Sequence, residues 1–240
     1  ELEPLQARAF GGSLVTHLRY DYAAPEPTLS VRQELAGVDV AALLGQLFDV
    51  RQLEGRGSGR FALTSRGADG ASLFANLRGP FDVEVTDGAV LGVDLWHELE
   101  RAVAAAQLEA AAATGRGSGR TPFERLSARG TLIERSLRND RVEFVADFAR
   151  VRGRGEVDYG RNALDLDLTA RLLKAPKGRL LGIKVSRVKD ADIPLDVTGT
   201  LAEPKVRPDV SKLLEAAAKD AIKQPLEGKI RDELEKIFKF

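Results

Sequence analysis

Hydrophobic and polar positions alternate over long stretches of this chain. Val142, Phe144, Ala146 and Phe148 alternate with Arg141, Glu143 and Asp147, and Leu164, Leu166, Leu168, Ala170 and Leu172 alternate with Asp165, Asp167, Thr169 and Arg171. A period of two marks strands with one apolar and one solvated face. Leu14, Leu18, Tyr20 and Tyr22 carry the pattern near the start, and Ile193, Leu195, Val197 and Leu201 carry it near the end. The chain therefore builds much one-faced sheet, and something apolar must cover that face.

The punctuation between these runs predicts the remaining elements. Residues 5–35 read as three strands, Leu5–Phe10, Leu14–Tyr22 and Thr28–Leu35, broken at Gly11-Gly12 and at the proline-rich stretch 23–27. Gly37-Val38-Asp39 follows, with Asp39 an N-cap for an apolar helix through Leu43, Leu44, Leu47 and Phe48. A strand over Gly55–Thr64, a short helix over Ser72–Leu77 and a strand over Phe81–Val85 come next, and Asp87-Gly88 reads as a turn. Gly92-Val93-Asp94 then leads into a helix with Leu95, Leu99, Val103 and Ala106 on one face. The unit of strand, turn, Gly-Val-Asp and helix thus occurs twice, an internal repeat within residues 1–120.

From Phe123 to Leu201 the pattern is nearly all strand: 124–135, 140–150, 151–159, 163–173 and 193–201. Asn139-Asp140 and Gly160-Arg161-Asn162 read as hairpin turns, and the basic stretch Lys174–Lys189 as a loop with a short strand at Ile183 and Val185. The strand-rich part spans 121–205 and is expected to stop at Glu203-Pro204. Residues 206–240 read as a pair of amphipathic helices, with Leu213, Leu214, Ala217, Ala221 and Ile222 before Pro225 and Leu226, Ile230, Leu234, Ile237 and Phe238 after it. The expected fold class is α+β: a large curved, mostly antiparallel sheet with one apolar face, partly covered by amphipathic helices that include the C-terminal pair.

Composition narrows the function. At 240 residues with 36 basic and 36 acidic side chains, the chain buries a real core and gives no charge signal for nucleic acid. Every lysine lies at or after Lys174, which reads as a base-composition bias or as a basic segment near an anionic surface. With no cysteine there is no disulfide, thiolate metal site or cysteine nucleophile. The absence of methionine leads us to expect a fragment or processed product, and no apolar run reaches membrane-spanning length.

Candidate chemistry is sparse. His17 sits in a strand and His97 in a helix, neither with a histidine partner at ligand spacing. Asp165 and Asp167 share a sheet face, which fits a cation or acid–base pair but fits an ordinary solvated face better. The hexapeptide Gly-Arg-Gly-Ser-Gly-Arg occurs at 55–60 and 115–120 without the lysine or strand–loop–helix setting of a phosphate cradle, so loop or strand start is the stronger reading. Trp96 reads as core rather than as an interface anchor. The C-terminal helices read as a cover for the sheet rather than as a membrane-surface pair, because acidic residues nearly balance their lysines. We expect no enzyme activity, no metal and no cofactor.

The order of elements resembles the C-terminal region of the AsmA family of bacterial envelope proteins. The resemblance rests on ELAGVDVAALLGQL, on LEGRGSGRFALTSRGADGASLFANLRGPFDVEVTDGAVLGVDLWHELERA, on TPFERLSARGTL and on IPLDVTGTLAEPKVRPDVSKLLEAA, which with their spacing cover most of residues 30–216. LRGPFDVEVTDGAVLGVDLWHEL at 77–99 and GTLAEPKVRPD at 199–209 are its most specific parts. The resemblance implies an inner-membrane anchor ahead of this region, a periplasmic location in a Gram-negative bacterium, and a long curved sheet of the lipid-bridge type. It also implies a role in carrying phospholipid towards the outer membrane and in outer-membrane integrity.

Two functions are therefore expected to compete. In the first, the apolar face is a lipid-conducting groove lined by Leu14, Leu18, Tyr20, Val142, Phe144, Phe148, Leu164, Leu166, Leu168, Ile193, Leu195 and Val197, with phospholipid as partner and other envelope proteins nearby. In the second, helices 39–49, 94–113 and 209–238 close that face and the domain is a scaffold in outer-membrane protein assembly. The strands present more apolar face than three helices obviously cover, which favours the groove.

Overall fold

The structure is a computed structural model that describes residues 4–23, 26–106, 117–174, 179–180, 183–184 and 192–211. The predicted alternation becomes one open antiparallel sheet of eleven strands. These are β1 (Leu5–Ala9), β2 (Gly12–Asp21), β3 (Thr28–Asp39), β4 (Leu53–Arg66), β5 (Arg78–Leu91), β6 (Arg120–Ile133), β7 (Ser136–Val145), β8 (Ala149–Asp158) and β9 (Ala163–Leu172), then, after a two-stranded hairpin of β10 (Arg179–Leu180) and β11 (Ile183–Lys184), β12 (Asp192–Gly199) and β13 (Pro204–Pro208). Each strand pairs with its neighbours in sequence, except that β9 pairs with β12 across the β10–β11 excursion.

Three short helices sit on this frame: α1 (Val40–Phe48), α2 (Gly70–Ala75) and α3 (Leu95–Ala106). Asp39 and Asp69 cap α1 and α2 by accepting from Ala42 N and Ser72 N. Helices α1 and α3, the β7–β8 turn and the exit from β9 lie at one end of the strands. The β2–β3, β6–β7, β8–β9 and β12–β13 turns, with α2, form the opposite rim. The expected large antiparallel sheet is present and its expected helical cover is met in part: sheet dominates, and α1 and α3 pack on the core at one end. The C-terminal helix pair lies outside the described residues, as do the end of the helix expected over 94–113 and most of the basic loop.

The core collects at the α3 end. Leu95 and Leu99 pack with Phe123, Phe144, Phe148, Val151, Leu172, Ile193, Leu195 and Val210, and Val40 joins from α1. Trp96 rests edge-on against Phe148 with ring centroids 5.3 Å apart, so it packs on the core, half-buried. Helix α1 also reaches across the apolar face. Its last residue, Phe48, meets Tyr159 of the β8–β9 turn at 5.7 Å, although α1 follows the third strand and Tyr159 follows the eighth. Such a contact requires the sheet to curve around its apolar side.

Several turn expectations are corrected. Asp87-Gly88 lies inside β5, where Asp87 has φ 51° and the pairing with β4 slips by one residue between Glu54 and Arg56. Asn139-Asp140 lies inside β7, at register shifts against both β6 and β8. Both are β-bulges, which share turn-forming residues with hairpins because both need tight or left-handed backbone. The true β6–β7 turn is at Glu134 and Arg135, with Glu134 at φ 57°. The strand does end ahead of Glu203-Pro204, with β12 closing at Gly199, but an unexpected further strand, β13, starts at Pro204. Two prolines argue against a central strand, but β13 is an edge strand, where a missing N–H leaves no ladder bond unmade.

The two sequence repeats turn out to be halves of one contact. Gly37 and Gly92 both take positive φ, 64° and 85°, and each opens a Gly-Val-Asp that caps a helix. Each hexapeptide returns to the Gly-Val-Asp of its own unit through its serine. Gly37 N donates to Ser58 Oγ at 3.2 Å. In the second unit Ser118 donates to Asp94 Oδ2 from its backbone N at 2.8 Å and from its hydroxyl at 2.7 Å. The hexapeptide therefore closes the return from helix to strand, and no phosphate is needed to explain it. Thr121 completes the second lock: buried, it accepts from Leu95 N and donates to Val93 O.

Asp94 makes this lock pH-sensitive. Burial pushes its carboxyl up, but hydrogen bonds from His97 N and from Ser118, with the His97 charge, outweigh it and leave the group below its ordinary value of 3.8. A depressed carboxyl contributes stability above the unfolded value and loses it as pH falls through the folded one. Comparing Asp94→Asn with wild type, we expect a stability gap of under about 1 kcal/mol near neutral pH, small because water still reaches the group. The gap should close in urea titrations run below the ordinary carboxylate range, and a gap that widens on acidification would contradict this assignment.

Candidate functional site: the apolar face of the sheet

Strand register lines up the apolar alternation across the whole sheet. Ala7, Leu14, Leu35, Gly59, Val83, Ala128, Val142, Gly153, Leu168, Leu195 and Pro208 stand opposite one another in turn, one from each strand. A parallel row runs through Leu166, Val197 and Val206, and another pairs Val157 with Leu164. The bulges preserve this. In β7, Asp140 and Arg141 are both exposed on either side of the shift, so Asn139 and Val142 both stay buried. A one-residue slip would otherwise turn half of the strand inside out.

The opposite face is charged and solvated. Asp82 lies between Arg60 and Arg129, at 4.0 and 2.6 Å, and Arg141 pairs with Glu143. The Arg141 hydrogen bond holds the Glu143 carboxyl below its usual range, with help from Arg125 and Arg152. Asp165 and Asp167 face Glu156 and Arg154 of β8 here, on an ordinary polar strand face, and His17 is exposed opposite Arg32. Among the described residues no cluster of three or more His, Cys, Asp or Glu is placed to hold a metal ion. His97 lies on α3, half-buried beside its cap.

The structure brings the twelve expected lining residues to the apolar side and divides them. Phe144, Phe148, Ile193 and Leu195 are buried in the core under α3, and Val142 is buried beside them. Leu14, Leu18, Leu164, Leu166, Leu168 and Val197 are half-buried, and Tyr20 is exposed. Phe148 lies in the β7–β8 turn rather than on a strand. The half-buried group continues into residues that sequence reasoning placed on strands but did not include in the lining. Val31 pairs with Leu18 and Leu63, and Phe61 stacks on Phe81 at 6.4 Å. The same alternation in β3 and β4, Leu29, Val31, Leu35 and Phe61, Leu63, was the available signal.

Polar groups on this face are few and satisfied. Thr16 donates to Gln33 Oε1 at 2.6 Å, while Gln33 donates to backbone oxygens of Val15 and Glu34. Buried Asn139 donates to the carbonyls of Leu137 and Gly155. The face offers an apolar strip, largely half-buried along its uncored part, beside an apolar helix. Helix α1 buries only Val40 and leaves Leu47 and Phe48 exposed. In water such a helix is expected to be covered on all sides.

Searches of curated proteins and of solved structures returned no match. A sequence profile describing the AsmA family matches residues 1–139, more than half of the chain and the whole of its two Gly-Val-Asp units. The chain belongs to the AsmA family.

Proposed function

We propose that this protein is a non-enzymatic, lipid-binding part of the bacterial envelope, whose apolar sheet face shelters phospholipid acyl chains during transport between inner and outer membrane. The observation that carries this reading is the apolar row across all eleven strands, whose members Leu14, Leu35, Val83, Ala128 and Leu168 are half-buried rather than sealed in the core. Apolar burial is worth about 25 cal/mol per Å². Two acyl chains laid along Leu14, Leu166, Leu168 and Val197 would gain several kcal/mol without any chemical step. The curvature around α1 and the charged outer face suit a trough in water. Family membership supports an envelope location, and we place the chain in the periplasm behind an inner-membrane anchor.

The test is lipid mass spectrometry on protein purified without detergent, beside an unrelated control. We expect phospholipid near one-to-one stoichiometry, and several-fold less in Leu166→Asp with circular dichroism unchanged. A lipid-free, stable monomer would sink this reading. It would favour the second one, a scaffold in outer-membrane protein assembly, for which the closed core around Phe144, Phe148, Ile193 and Leu195 is the supporting observation.

A further inference from the structure

Exposed large hydrophobic side chains are not scattered over this protein. Among the described residues, Tyr20, Tyr22 and Phe74 lie at the rim opposite α3, Phe48 of α1 reaches that rim through Tyr159, and of the large exposed apolar residues Leu5 and Leu47 lie elsewhere. The rim group comes from separate elements: Tyr20 and Tyr22 from the end of β2, Phe74 from α2, and Phe48 from α1 by its contact with Tyr159. Tyr22 is 79% exposed and Phe74 56%. Nothing in α2 requires Phe74 to be large, because that helix has no buried residue at all.

This rim is built as one continuous belt. Gly67 N donates to Pro27 O, Glu134 N to Leu77 O, Tyr159 N to Arg135 O, and Leu201 N to Asn162 Oδ1. These bonds join each turn to the next, from the β2–β3 turn to the β12–β13 turn. The aromatic side chains therefore stand on a shared edge, directly below the half-buried apolar rows. Arg66, Arg78 and Arg135 on the belt are offset by Glu26, Asp69 and Glu134, so the edge has no excess of positive charge.

We infer that this rim is a docking edge for the surface of a zwitterionic phospholipid bilayer, holding the half-buried end of the apolar face against the membrane. The inference builds on the lipid reading above. Tyrosine and phenylalanine suit the boundary between headgroups and acyl chains, where a ring is apolar and an OH or edge stays wet. A balanced edge gains little from anionic lipid, so apolar contact supplies the attraction. Leu18 and Leu164, close to this rim, offer acyl chains leaving the bilayer a continuous apolar path onto the sheet.

The absence of cysteine makes the test direct. Single variants Ala23→Cys and Ala71→Cys, beside Tyr22 and Phe74, carry an environment-sensitive fluorophore, and Ser13→Cys at the other end of β2 is the control. On adding phosphatidylcholine–phosphatidylethanolamine vesicles, a severalfold rise with a blue shift is expected at positions 23 and 71 and none at 13. The rise should survive high salt and be lost in the Tyr22→Ser, Phe74→Ser background. Silence at both rim positions, an equal rise at position 13, loss in salt, or a rise that survives the double substitution would each overturn the inference. Rim signals from a protein that carries no lipid when purified leave the docking edge standing and count against the groove instead. Bound lipid with silent rim labels does the reverse.

Discussion

Replacing Leu99 with alanine is expected to lower stability by about 2–5 kcal/mol, the range for emptying a fully enclosed leucine site. Leu99 has no exposed surface, and together with Leu95 it carries α3 into the core. Its neighbours there come from β6, β7, β9 and β12, so they cannot collapse onto the cavity without moving four strands that are bonded on both sides. This argues for the upper half of the range. Urea unfolding followed by circular dichroism and by Trp96 fluorescence reads it, since Trp96 packs beside the same core on Phe148. A loss under about 1 kcal/mol would mean that α3 does not seal that end. If the variant fails to fold, Leu99→Val removes less volume, and its midpoint should fall measurably.

Gly130→Val is expected to be comparably damaging by the opposite route. Gly130 faces the buried side of β6, opposite Asn139 at the bulge in β7. A Cβ there would land on the Arg138 carbonyl oxygen, 2.8 Å from its carbonyl carbon and 2.9 Å from Asn139 Cα. All three atoms are backbone, so no rotamer change relieves the clash. The two strands must separate at the point where buried Asn139 bonds to Leu137 and Gly155. A cost of about 3 kcal/mol, at the top of the usual range for overpacking, is the expected result in the same urea titration. Gly130→Ala should lose nearly as much, because the first carbon already makes the clash. A Gly130→Ala protein as stable as wild type would show that β6 and β7 do not approach this closely.

Much of this was readable before any coordinates. The long runs in β7, β9 and β12 place their apolar side without ambiguity, because every second residue repeats the message. Asp39 as a helix cap and the two-fold Gly-Val-Asp unit were equally plain. The bulges were not, since Asp87-Gly88 and Asn139-Asp140 have the same chemistry whether the strand turns back or only kinks. Edge strand β13 was hidden by the prolines at its two ends, which an edge tolerates, and edge position is a property of the sheet rather than of the segment. The lining residues show the deeper limit. A period of two says which way Phe144 and Leu166 point, but not that α3 lies over the first and leaves the second half-buried. Exposure depends on contacts between residues far apart in the chain, so alternation alone placed core and trough in one set.

The neighbour-by-neighbour order of the strands has a consequence for how the protein assembles. From β1 to β9 every partner is the strand made just before, so each new strand finds its partner already in place as the chain emerges, over connections that run from two residues to the 28 of residues 92–119 between β5 and β6. Strand β12 is the exception. It must wait for residues 173–191 before Ile193 can reach Ala170 and Leu195 can reach Leu168. Ile193, Leu195 and Val210 are therefore the last described members of the core to enter. Until they do, Phe144, Phe148 and Leu172 are missing their final neighbours. The growing sheet is then most exposed to misassembly at its α3 end, and a helper that shields apolar surface would act there, on the unfinished chain.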